Sequence, residues 1–254
     1  MKMPKTQKQS LADNLKTYDE IDIHKYESKY SFQKHEQKRI ENFINNISRK
    51  LRRENAIDFG TGGGNLLKYL MEVFSNSIGA DVSLKMALQN GHSPDNLIKC
   101  DCNNSPFKNE SIDFITAYQL IHHLENPVSF FKEAHRILRK GGILYIDGEK
   151  NRKLMQYYVL FNLIRNKLID SNTKYWSNYF KPRSDGEYHF GGFYKTDLKT
   201  ALEKCGFRKV FINYRLSMNK KDIKDFFFQN SISNLIRNLK IDFLYTHLYI
   251  VAIK

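Results

Sequence analysis

The 254-residue chain is poor in the residues that staple or anchor a protein. It has three cysteines, Cys100, Cys102 and Cys205, and no C-x-x-C pair. An odd, small number at such spacing excludes a disulfide framework and a cysteine-based zinc site, so no metal site is expected. Cys100 and Cys102 flank Asp101, and alternation along a strand would put both on one face as small buried apolar groups. No apolar run approaches the roughly 20 residues that a membrane span needs. The N-terminus, MKMPKTQKQS, has no apolar segment of the signal-peptide kind, and a cytoplasmic protein is expected. Acid is scarce as well: 27 Asp and Glu stand against 41 Lys and Arg, a net charge of +14. Such a balance fits a nucleic-acid or anionic-lipid partner, and equally a compositional bias toward lysine with no partner at all. Charge alone does not choose.

Hydrophobic and charged contents of 41% and 27% are those of an ordinary globular protein. Apolar positions Ile40, Phe43, Ile44, Ile47 and Leu51 follow helical spacing within 32–51. From there the period alternates. Short strands are predicted at NAIDFG, SIGADV, NLIKCD, SIDFITAY and GILYIDG. Between them, helices are predicted at GGNLLKYLMEVF, at SLKMALQN with Ser83 as its cap, and over 126–140, stopped by Gly141-Gly142. Strands alternating with helices predict parallel βαβ units with helices on both faces. Residues 151–183 break the rhythm with seven basic side chains, seven aromatics and a single acid, Asp170. They read as an insertion with a helix over about 153–169. A helix over 197–205, a strand FRKVFINYRL, a helical stretch over 220–240 and a final strand YTHLYIVAIK follow. The expected organisation is a helical cap (1–50), a core (51–150), a basic and aromatic lid (151–190) and the completion of the sheet (191–254), all in one domain.

Glycine is scarce too, yet four of the thirteen fall between Gly60 and Gly64. Glycine tolerates positive φ and lets a backbone approach something closely. In an open parallel sheet, ligands bind beyond the carboxyl ends of the strands. Asp58, Asp81 and Asp101 stand at or near three such ends. The dinucleotide fingerprint G-x-G-x-x-G fails from Gly60, where its third position is Asn65, and from Gly62, where it is Leu67. The P-loop pattern is absent. Acids beside the loop suit a ligand with a cationic end and a ribose better than one with a phosphate, and S-adenosylmethionine is such a molecule.

Several stretches taken in order resemble the class I S-adenosylmethionine-dependent methyltransferases, of the small-molecule type related to the quinone-biosynthesis enzymes. DFGTGGG matches the D-x-G-x-G-x-G motif. GADVSLKMA, CDCNNSPFKNESIDFI, AYQLIHHLENP, EAHRILRKGGILYI and YKTDLKTALEKCGF resemble the later blocks. The resemblance implies a Rossmann-like α/β fold with a seven-stranded, mostly parallel sheet, helices on both faces and an antiparallel last strand. It also implies site roles. The Gly60, Gly62 and Gly64 backbone would pass under the methionyl part, with Asp58 orienting its ammonium. Asp81 would take the ribose hydroxyls, Asp101 and the Cys102 N–H the adenine, and Tyr118 and Gln119 would lie beside the methionine end. Asp113 reads as structural, and His122 and His123 as local packing.

The acceptor is expected over strands four and five, covered by Tyr26, Tyr30 and the insertion. His189, in EYHF, is the candidate base, with an ordinary loop histidine as the alternative. Three functions stay open. The first is O-, C- or N-methylation of a small molecule with an aromatic or isoprenoid-like surface. The second is RNA (tRNA) modification, and the third a non-catalytic cofactor-binding subunit. The basic 151–183 segment could meet an anionic lipid surface or RNA, or be no more than a lid. No obligate protein partner is evident.

Overall fold

The first strand-forming stretch is buried on both sides. In Asn55–Phe59 (β1), Ile57 and Phe59 point to one apolar cluster and Ala56 to another. A strand buried on both faces belongs inside a parallel sheet covered by two helical layers, and the computed structural model has that arrangement. It describes residues 12, 15, 16, 19, 20, 34–154, 156, 188, 189, 191–215 and 247–254. Seven strands form one sheet in the order β3-β2-β1-β4-β5-β7-β6. The others are β2 Asn76–Asp81, β3 Leu97–Lys99, β4 Ile112–Tyr118, β5 Leu138–Lys150, β6 Lys209–Arg215 and β7 His247–Ile253. The pairings from β3 through β5 are parallel, and β7 runs antiparallel to both β5 and β6.

Helices cover both faces, as predicted. On one side α1 (Lys34–Ser48) and α2 (Leu67–Val73) bury Ile40, Ile44, Leu66 and Leu70 with Phe114 and Tyr145. The Phe43 ring stacks on Tyr145 at 4.4 Å. On the other side α4 (Pro127–Ile137) and α5 (Lys195–Lys204) bury Phe130, Phe131, Ala134, Ile137, Leu198 and Leu202 with Ile57, Ile115 and Leu144. Asn126 caps α4, its side chain accepting the Val128 N–H at 3.1 Å. A short α3 (Lys85–Gln89) follows β2. Among the described residues no helix is long and apolar enough to cross a membrane.

Four local expectations change. The helix after the glycines starts at Leu67, because residues 62–66 form successive turns. Ser83 does not cap α3; Leu84 precedes that helix, and the Ser83 hydroxyl is given to the Asp19 carboxylate. The third strand ends at Lys99, so Cys100 and Cys102 lie beyond it, although both pack on one cluster as predicted. The fifth strand begins at Leu138, paired with Ile112, and bulges before Ile143 joins Phe114. Gly141, at φ +79, sits in that bulge and does not end the helix.

Asp113 is structural, as read. Buried at the start of β4, it accepts the backbone N–H groups of Asn55 and Glu54 at 2.9 and 3.2 Å and Arg139 at 2.9 Å. The predicted lid over 157–187, including Trp176, lies outside the described residues. So do Tyr26, Tyr30 and the stretch 220–240.

Candidate functional site

The chain order turns around between β1 and β4, because β1 is flanked by β2 on one side and β4 on the other. That is the switch point of an open sheet, where strand ends diverge and leave a crevice. The loop leaving β1 carries the glycines, and Gly60, Gly62 and Gly64 all have positive φ. A Cβ on Gly60 would come within 2.8 Å of Leu120 Cδ1, and one on Gly64 within 2.1 Å of His92 Nε2. Both would also be strained, at φ +66 and +79. Those two glycines therefore serve packing within the chain. Gly62 differs: at φ +52, its Cβ would meet nothing closer than its own loop's Gly60 carbonyl at 3.9 Å. The open stretch of the loop is centred there.

Asp81 closes β2 and reaches this point. Its Oδ2 accepts the Gly62 N–H at 2.9 Å and its Oδ1 the Ser83 N–H at 3.1 Å. A carboxylate has about four lone-pair positions, so these bonds fix its orientation and leave acceptor capacity to spare. Burial pushes its pKa up, opposed by the Gly62, Ser83 and Val82 backbone bonds, with a further upward push from Asp19. Asp19 is thus present at this edge. The Asp19 carboxylate takes the Ser83 hydroxyl, and its carbonyl takes the Lys85 ammonium.

Asp58 lies beneath the loop. It is 2% exposed, with Thr61 Oγ1 at 2.9 Å from one oxygen and Thr116 Oγ1 at 2.7 Å from the other. Burial raises its pKa to about 7 against the pull of these hydroxyls. A carboxyl so poised gains from any cation placed near it. Asp101 follows β3, which is held to the neighbouring strand's end by the Cys100 N–H on the Asp81 carbonyl at 2.9 Å. Its Oδ1 accepts the Asn103 backbone and side-chain N–H groups at 2.9 and 2.8 Å, fixing the turn that carries Cys102. Burial raises both Cys100, to about 11, and Cys102. Cys102 is a buried thiol and Cys100 a half-buried one.

Tyr118 closes β4, and burial raises its phenol to about 12. Gln119 has φ +52, uncommon for a residue with a side chain, and its N–H is given to the Asp147 carbonyl at 2.9 Å. Gly148 permits this turn, since a Cβ there would lie 2.7 Å from Gln119 Cγ. Strain held at a strand tip beside a crevice is a mark of functional positions.

Beyond β4 and β5 lies a group that the sequence reading did not identify. Glu149 is wholly buried and accepts the Ile121 N–H at 3.0 Å, with His122 Nδ1 at 2.9 Å. Burial raises its pKa to about 8. His122 and His123 lie ring to ring at 4.2 Å, so the expected local packing is present, but with a carboxyl partner. His189 joins the same edge. Its N–H is given to the His122 carbonyl at 3.0 Å, its Nε2 lies 3.3 Å from the Glu125 carbonyl, and its ring lies 5.0 Å from Phe193. A nitrogen facing a carbonyl donates, which makes Nδ1 the basic position.

A second missed cluster closes the edge toward β6. Asp147 accepts Arg215 Nε at 2.8 Å, the Gly148 N–H at 2.6 Å, Arg39 and the Tyr145 hydroxyl. Glu36 accepts Arg215 Nη1 at 2.6 Å and Arg39 Nη2 at 3.1 Å. Two acids and two guanidiniums thereby pin α1 to the ends of β5 and β6. The only advance signal was Asp147 within the otherwise apolar stretch GILYIDG.

Comparison with known proteins agrees with this layout. Residues 57–146 match the family described as methyltransferase domain. A ubiquinone biosynthesis O-methyltransferase of Pelagibacter ubique (strain HTCC1062) is 25% identical over 152 residues, 55% of this chain and 60% of that protein. A probable tRNA methyltransferase 9B of Mus musculus is 29% identical over 143 residues, 51% of this chain and 31% of that one. The matched stretches thus span less than two thirds of either relative's length. A solved S-adenosylmethionine-dependent methyltransferase of Archaeoglobus fulgidus superposes with a TM-score of 0.58 at 16% identity, covering 90% of this chain and 98% of that one. At that identity the likeness is one of fold, the Rossmann-like fold with its seven-stranded mixed sheet.

Proposed function

We propose that the chain, whose residues 57–146 match the methyltransferase domain family, transfers the methyl group of S-adenosylmethionine to a small-molecule acceptor. The observation that carries the reading is the meeting, at one sheet edge, of an open Gly62 backbone with the Asp81 carboxylate that it orients. The residues fit this cofactor and not a phosphate. Asp81, with acceptor capacity to spare, suits a pair of ribose hydroxyls. Asp58, poised near pH 7 beneath the loop, favours a cationic ligand above it. Asp101 and the Cys102 backbone would take the adenine, and Tyr118 and Gln119 would border the methionine end.

The bound cofactor supplies an electrophilic methyl on a sulfonium whose departure leaves a neutral sulfur. The chain's own task is to bring the acceptor into line and to exclude water. A base is needed only where the acceptor atom must lose a proton. His189 is the candidate, at the edge beyond β4 and through its Nδ1, with the buried Glu149–His122 pair behind it. Contacts of Asp19, Glu36 and Arg39 at this end of the sheet support a cap over the site formed by residues 1–50.

Two observations favour a second reading, tRNA modification: the mouse relative and the +14 charge. Incubation with methyl-labelled cofactor and cell extract, followed by separation into lipid, small-molecule, RNA and protein fractions, decides between them. Label in the small-molecule or lipid fraction is expected, and label confined to RNA would replace the first reading by the second. Turnover that survives His189→Ala at saturating acceptor would remove His189 as the base.

A further inference from the structure

The opposite end of the sheet holds a cavity that methyl transfer does not use. Its volume is about 420 Å³, and Lys50, Arg52, Glu110, Asp113, Arg139 and Lys140 line it. Lys50 and Arg52 follow the end of α1, Glu110 and Asp113 flank the start of β4, and Arg139 and Lys140 lie in the bulged start of β5. The glycine loop leaves the other end of the sheet, from β1, the strand that pairs with β4 in parallel. Seven residues of β4 at about 3.3 Å each put roughly 20 Å between the two places.

The charges in this cavity are unbalanced. Four cations face two carboxylates, and both carboxylates are already engaged. Asp113 holds two backbone N–H groups and Arg139, and Glu110 lies 3.2 Å from the Lys254 ammonium. Every contact that Arg139 makes with Glu54 and Asp113 falls on Nη1, so the guanidinium is fixed while Nε and Nη2 keep their donors. Among the described residues Lys50, Arg52 and Lys140 form no ion pair, and all three are exposed. Leu51 is the one large apolar side chain in the lining, which gives a membrane surface nothing to receive. A fixed fork, a second, exposed guanidinium and two exposed ammonium groups around a concave space suit a multiply charged phosphate ligand. The volume lies in the range of small-molecule sites and exceeds the needs of a single phosphate ion.

We propose that this cavity is a second ligand site, for the phosphate groups of a small anionic ligand of diphosphate or nucleotide size, separate from the cofactor crevice. Its occupant would bridge the turn after α1 to the starts of β4 and β5.

The test is calorimetric titration of the full chain with inorganic diphosphate and with ADP, at low and at physiological salt. It is repeated on the Lys50→Ala/Arg52→Ala/Lys140→Ala variant, with thermal melting as the control for folding. Binding of both probes is expected, weakened about tenfold or more in the variant, while affinity for S-adenosylmethionine stays unchanged. Absence of diphosphate binding overturns the proposal. So does equal affinity in the variant, since the anion then sits elsewhere. A tRNA probe is titrated in parallel. If it loses affinity in the variant while diphosphate and ADP never bind, the lining is a nucleic-acid dock and the small-ligand site is refuted. The cofactor titration stands apart, so failure of this proposal and failure of the methyltransferase reading give different results.

Discussion

Two backbone N–H groups hold the Asp81 carboxylate before any ligand arrives, so its bonds to a ribose come without the cost of orienting the side chain. A hydrogen bond to a charged group is worth about 1.5–3 kcal/mol. Asp81→Ala is therefore expected to weaken cofactor binding by about tenfold to a hundredfold, and unchanged affinity in a calorimetric titration would remove Asp81 from the site. Asp58 makes a pH prediction. Its carboxyl, raised to about 7 by burial, is part-protonated at neutral pH, and a cationic ligand favours the ionised form. Cofactor affinity should rise from pH 6 to pH 8, by up to about tenfold, with protons released on binding. Asp58→Asn should flatten that slope while leaving Asp81 in place, and a slope that persists in the variant would assign it to another group. The motif marked Gly60, Gly62 and Gly64 alike as ligand-facing. The packing of Leu120 and His92 separates them, and those contacts join residues 60 and 28 positions apart, beyond the reach of a local pattern.

Helix α1 is tied down by charge as well as by apolar packing. Its Glu36 and Arg39 meet Arg215 and Asp147, which are 179 and 108 residues away in sequence. Removing one member of such a buried cluster strands the others. Arg215→Met should therefore destabilise the protein by about 3–5 kcal/mol, read as a fall in the urea midpoint, and should expose α1 to proteolysis before the sheet unfolds. The exposed Lys199–Glu203 pair, at 3.8 Å on α5, is the contrast: Lys199→Ala should change stability by less than about 1 kcal/mol. Equal effects from the two substitutions would show that the cluster adds nothing beyond surface pairing. The elements themselves were legible. Period-two and period-3.6 patterns identified α1, the parallel strands and β7, because buried strands and one-sided helices leave a local signature. The ion cluster was not, since charged residues at helix and strand positions look alike until the fold brings them together. The early start of β5 was hidden for a related reason. Leu138 joins the sheet only through its pairing with Ile112, and Gly141-Gly142 suggests a stop where the chain makes a bulge.

Across the whole molecule the acids and bases pull stability in opposite directions with pH. An excess of fourteen positive charges favours expansion, the more so as carboxylates protonate in acid. Two of the buried carboxyls act the other way. Glu149, at about 8 in the fold, and Asp58, at about 7, ionise near pH 4 in the unfolded chain. Between those values the folded state holds protons that the unfolded state has released. Their contribution is thus fully present below about pH 4 and is lost as pH rises through 7 and 8. Glu149→Gln isolates one of them, because glutamine can still accept the Ile121 N–H and face His122 Nδ1 but does not ionise. The variant should match the wild type near pH 4 and become the more stable protein as pH rises. The difference should level off above pH 8 at a few kcal/mol, as read from urea midpoints across the series. A wild type that remains the more stable at pH 8 would show Glu149 ionised in the fold, held as a carboxylate against a protonated His122. The edge beyond β4 would then carry a fixed ion pair beside His189.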